Sequence, residues 1–86
     1  MTPAFAETLA LKALAYLVNL PDALGRFMAG SGVNSQELRA RAAEPGLLAG
    51  VLDFLLRDEV LLTGFCEETS TSPREVHLAT HVLAGQ

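Results

Sequence analysis

The four prolines, Pro3, Pro21, Pro45 and Pro73, constrain this chain more than any other feature. Proline fixes φ near the helical value, lacks an amide proton and restrains the residue before it. It therefore suits the first position of a helix and breaks the interior of one. Thr2 precedes Pro3 and Ser72 precedes Pro73, so two of the four sit directly behind a capping residue. Between the prolines the apolar residues recur at helical spacing, and no stretch alternates for long as a strand would. The expected fold is all-α: one domain over residues 1–86, a compact orthogonal-type bundle of five to six short helices with a central apolar helix at about 45–56.

The helices are predicted at 3–19, 21–30, 35–43, 45–56, 59–68 and 73–84. In the first, Phe5, Leu9, Tyr16 and Leu20 follow one side and Leu11, Leu14 and Val18 another, so it should bury most of its circumference. Asn34 with Glu37 three residues later is a start signal of capping-box type, and Ser72-Pro73-Arg74-Glu75 is another. Asp58 is a suitable cap for the fifth helix, whose inward set reads Val60, Leu61, Leu62 and Phe65. Leu24, Phe27, Asn34, Glu37 and Leu38 are matched 38 positions later by Leu62, Phe65, Ser72, Glu75 and Val76. A duplicated unit would give this pattern, and so would two hairpins built by the same packing and capping rules.

Composition narrows the function classes. Half the 86 residues are apolar but only 6% are aromatic, so leucine and alanine must build the core, and both favour helix. Six cations against ten carboxylates leave a net charge of −4, which repels a phosphate backbone unless the cations cluster. No nucleic-acid partner is expected. Segment 46–66 is long enough to cross a bilayer, but Asp53, Arg57, Asp58 and Glu59 lie near its centre at a cost of several kcal/mol. No membrane span is expected. The N-terminus carries Glu7 where a signal peptide is basic, and Cys66 is the only cysteine, so a reducing, cytoplasmic setting is expected.

Chemistry-bearing residues are sparse. His77 and His81 stand four apart, a spacing two metal ligands use, yet Leu78 occupies the place where a zincin pattern has Glu. They are expected to face solvent, and a metal-dependent enzyme using them is the remote alternative. The pairs Asp58-Glu59 and Glu67-Glu68 point about 100° apart on a helix and share no geometry by themselves. Cys66 has no base identifiable near it, so it reads as a small hydrophobe. No catalytic residue, cofactor or metal set is expected, and no enzyme. SGVNSQELRARAA resembles the turn and recognition helix of a helix-turn-helix regulator. That alternative requires Arg26, Arg39, Arg41 and Arg57 to converge on one face.

Apolar excess carries the main functional expectation: a small protein-interaction module, self-association into a homodimer being the commonest outcome. The candidate surface is Leu11, Leu14, Val18, Asp53, Phe54 and Arg57. Asp53 and Arg57, acid first and four apart, should form a helix ion pair.

Three stretches carry a family resemblance: ALKALAYL at 10–17, SGVNSQELRARA at 31–42 and LLAGVLDFLLRDEVLLTGF at 47–65. With the capped terminal helix from Ser72 they cover nearly the whole chain, which resembles the small bacterial family called domain of unknown function 3572. Val33 and Ser35 stand where the family usually has Gly-Leu and then Pro. The resemblance implies a compact helical cytoplasmic domain and assigns no catalytic residue.

Overall fold

Local chemistry at each boundary sets six helices. They are α1 (Pro3–Val18), α2 (Pro21–Ser31), α3 (Ser35–Ala40), α4 (Pro45–Leu56), α5 (Glu59–Thr69) and α6 (Pro73–Ala84). The computed structural model describes residues 1–85, and among them there is no strand. Each proline opens a helix. Thr2 Oγ1 accepts the Phe5 amide proton at 3.1 Å. Asn34 Oδ1 accepts from the Glu37 amide at 2.8 Å while the Glu37 carboxylate accepts from the Asn34 amide, which completes a capping box. Ser72 and Glu75 form the second box in the same way. Asp58 accepts from the Leu61 amide at 3.1 Å. Such caps satisfy amides that have no partner inside the helix, each worth about 1 kcal/mol.

The core is a contiguous cluster centred on α4. Leu47, Leu48, Val51, Leu52 and Leu55 line its buried face, and α4 packs against α1, α2, α5 and α6. The radius of gyration, 11.6 Å, is close to the roughly 12 Å of a folded chain this long.

The 38-residue similarity extends to the architecture. α1 and α4 end at Val18 and Leu56, α2 and α5 start at Pro21 and Glu59 and end at Ser31 and Thr69, and α3 and α6 start at Ser35 and Pro73. Every one of these pairs is 38 apart. The buried face of α1 (Leu9, Ala10, Ala13, Leu14, Leu17) is the counterpart of that of α4, residue for residue, and Ala23 with Phe27 that of Leu61 with Phe65. The aromatic pairs show how the halves are related. Tyr16 packs on Phe65 at 5.6 Å between centroids, and Phe54 packs on Phe27 at 5.5 Å. Each pair joins the two halves and becomes the other when the halves are exchanged, as a two-fold relation requires. The relation holds for α1–α2 and α4–α5 and ends there: α3 has six residues against twelve in α6, and α6 packs broadly on α1 and α4 where α3 does not.

The two left-handed helix ends also correspond, Gly32 at φ 73° and Ser70 at φ 54°. Glycine takes this conformation without steric cost and serine does not. Ser70→Gly is therefore expected to stabilise the domain by about 0.5–1 kcal/mol, a rise of a few degrees in Tm by calorimetry.

Four sequence expectations need correction. α3 stops at Ala40, not near residue 43, because Pro45 holds Glu44 extended (φ −74°, ψ 128°) and residues 41–43 turn to reach it. α1 does not bury most of its circumference. Its packing face is small, with Ala6, Ala10 and Ala13 wholly buried, which lets α4 and α6 approach closely and leaves Phe5, Leu11 and Val18 about half exposed. Val60, expected inward, is 82% exposed, because Leu61 and Phe65 set the buried face of α5. Leu14, expected on a free surface, belongs to the core.

Candidate functional site

Between α2 and α4 the surface opens into a cleft of about 530 Å³, within the usual size range of binding sites. One stripe of α4 and its C-cap forms a wall: Gly46, Gly50, the adjacent Asp53 and Phe54, and Arg57 recur at spacings of three and four. Arg26, Phe27, Gly30 and Ser31 of α2 form the other, Val33 and Leu47 complete the floor, and Arg41 and Asp58 stand at the rim. The edge-on Phe27–Phe54 pair lies within it, and the Arg26 guanidinium sits 5.9 Å from the centre of the Phe54 ring, within cation–π reach.

All three arginines are held by carboxylates. Arg57 meets Asp53 at 2.8 Å, the expected i,i+4 pair. Arg41 meets Glu44 at 2.9 Å, and Arg26 meets Asp58 at 3.4 Å. The guanidinium-bearing side chains are 41–79% exposed, so each pair contributes between nothing and about 1 kcal/mol. Asp53 is the one charged residue within the otherwise apolar α4, and its place is explained by α4 being open along this stripe.

Asp58 does two jobs, capping α5 and receiving Arg26 from α2. The Leu61 amide first, and Arg26 after it, hold its carboxyl below the usual aspartate range. Folding thus favours the ionised form. The stabilisation is complete above the unfolded value near pH 4 and is lost as pH falls through it and below. Asp58→Asn keeps a capping side chain but does not titrate, so denaturant midpoints measured from about pH 6 to 2.5 should fall less steeply for the variant than for the parent.

The rest of the sequence-predicted surface is elsewhere. Asp53, Phe54 and Arg57 line the cleft; Leu11 and Val18 are exposed on α1 and do not; Leu14 is buried. Of the four arginines required to converge for a helix-turn-helix reading, Arg26, Arg41 and Arg57 share the cleft and Arg39 is exposed outside its lining. His77 and His81 meet edge-on, 4.8 Å between ring centres, on the exposed side of α6. Among the described residues no group of three or more His, Cys, Asp or Glu side chains could hold a metal, so the third ligand their alternative needs has no candidate there. Partial burial first, and then Glu75, raise the Cys66 thiol above its ordinary range, which keeps it protonated at neutral pH.

Sequence reasoning missed Gly30, Gly46, Gly50 and the Arg26–Asp58 link. A signal for the glycines existed: Gly46 and Gly50 are four apart and continue into Asp53 and Arg57. At Gly30, Gly46 and Gly50 an added Cβ would meet nothing within 4 Å, so no contact in the fold asks for glycine there. Gly64 differs, since a Cβ there would collide with the Tyr16 hydroxyl, which donates to the Leu61 carbonyl.

Fold and site together define a small all-helical domain with a charged, glycine-walled cleft. The chain belongs to the family described as Protein of unknown function (DUF3572), which it matches over residues 3–86. A search of curated proteins and a search of solved structures each returned no match. No helix among the described residues is long and apolar enough to cross a membrane.

Proposed function

We propose that this chain is a small cytoplasmic protein-interaction module, and that the cleft between α2 and α4 is its docking surface. One observation carries the reading: the glycines and charges that line the cleft, where α2 of one half meets α4 of the other, are not repeated at the two-fold counterpart of that junction, where α5 meets α1. The counterparts of Gly46, Gly50 and Gly30 are Thr8, Lys12 and Glu68. The counterparts of Arg26, Arg41 and Arg57 are Gly64, Ala79 and Asn19, and those of Asp53 and Asp58 are Ala15 and Leu20. The counterpart junction thus has no glycine at the positions matching Gly30, Gly46 and Gly50, and none of these five charges. A glycine inside a helix costs up to about 1 kcal/mol relative to alanine, so the open wall is maintained against stability. Partner binding at a groove with an apolar floor and a charged rim accounts for it.

Gly50→Leu should fill the cleft and keep the fold, because the site is open and leucine suits a helix. Immobilised wild-type protein should retain a partner from its native cell that Gly50→Leu loses and that Lys12→Leu, the matching change in the other half, retains. Equal retention by all three contradicts the reading.

The gathering of Arg26, Arg41 and Arg57 favours a second reading, a helix-turn-helix-like regulator. Against it stand Arg39, which lies outside the cleft lining although the reading requires it to converge with the others, and the two-turn length of α3. A DNA shift assay over a salt series separates the two, since phosphate contacts would give strongly salt-dependent binding.

A further inference from the structure

We infer that the occupant of the cleft is the α5 face of a second copy of this chain; the inference rests on the docking reading above. Val60 is the most exposed large apolar side chain of the domain, at 82%. Around it on the outer face of α5 lie Glu59, Thr63, Gly64 and Glu67, so an apolar knob stands between two carboxylates with no cation among them. The cleft is the complement in sign: around an apolar floor with Phe27 and Phe54 it carries three arginines, Arg26, Arg41 and Arg57, against two carboxylates, Asp53 and Asp58. These are three of the six cations in a chain of net charge −4, so the rest of the surface is still more acidic than the average. Each arginine is held by an exposed pair that contributes little, so it can turn to a partner's glutamate at small cost. Gly46 and Gly50 leave room for a helix to approach the α4 backbone.

The two surfaces adjoin. The cleft ends at Asp58 and the α5 face begins at Glu59. A two-fold axis beside the α4–α5 turn lets each copy give its α5 face and receive the other's. The contact then closes as a dimer and does not propagate as a fibre.

Sedimentation velocity of the whole chain, up to about 1 mM, reads this directly. Wild-type protein should pass from monomer to dimer, more weakly at high salt because the rim is ionic. Val60→Lys, at an exposed site where the fold loses nothing, should weaken dimerisation at least tenfold. The double variant Arg41→Glu with Arg57→Glu, and separately Glu59→Arg with Glu67→Arg, should each stay monomeric. Mixed together they should dimerise, since one interface is then wild type and the other has its charges exchanged. A misfolded variant could not be rescued by mixing. The inference is overturned if wild-type protein remains monomeric throughout, if Val60→Lys dimerises like the parent, or if the mixture stays monomeric. If wild-type protein is monomeric and yet a cellular partner is retained by it and lost by Gly50→Leu, the docking reading stands and only the second copy is eliminated. If neither is seen, both fail.

Discussion

Phe65→Ala is expected to cost about 3–5 kcal/mol, the usual range for emptying a buried aromatic site. Phe65 is wholly buried, its ring packs on Tyr16, and the site lies where α5 meets the rest of the core. A domain of 86 residues has a total stability of roughly 4–13 kcal/mol, so the loss is a large share of it. Melting followed by circular dichroism should shift down by roughly 15–30 °C, or the variant should be largely unfolded at 37 °C. Phe27→Ala, at the counterpart position, should cost less. Phe27 itself lines the cleft, as does its aromatic partner Phe54, so neighbours and water can relax into the space.

The second large effect is a contrast of sign between two glycines. Gly50→Ala should raise stability by about 0.5–1 kcal/mol, because alanine is the better helix former and its Cβ enters open space. Gly64→Ala should lower it by about 1–2 kcal/mol in spite of the same propensity gain. The new Cβ must displace the Tyr16 hydroxyl, whose ring packs on Phe65, and the bond to the Leu61 carbonyl breaks. Tyr16 is the only tyrosine and there is no tryptophan, so intrinsic fluorescence reports on this site alone. Its emission should change in Gly64→Ala and not in Gly50→Ala. Two stabilised variants would show that Tyr16 does not need the glycine.

Most of the fold was legible because its signals are local. Pro45, Pro73, the Asn34 and Ser72 capping boxes and the Asp58 cap act within four residues of themselves, and five of the six helices fall within a residue or so of their expected bounds. What periodicity could not give was which apolar face wins. α1 has a large-residue side with Phe5, Leu11 and Val18 and a small-residue side with Ala6, Ala10 and Ala13. Hydrophobicity favours burying the first, but close packing of three helices selects the second, and that choice is made between elements and not within one. The same limit hid the site. Asp53 and Arg57 were visible as an ion pair on α4, but Arg26, Phe27 and Arg41 join them only through the folding of α2 and α3 around that helix. The repeat was visible as matched residues; that the halves face each other emerges only from the exchanged aromatic pairs.

Docking is proposed at the junction of α2 with α4 and not at its two-fold counterpart, the junction of α5 with α1. Amide chemical shifts of the whole chain, followed as its concentration rises or as a captured partner is titrated in, test it most directly. The glycine amides of the cleft and their counterparts serve as paired probes. Gly46, Gly50 and Phe54 should shift together, while Thr8, Lys12 and Tyr16 stay fixed. Equal shifts in both sets, or shifts confined to the Leu11 and Val18 side of α1, would contradict it.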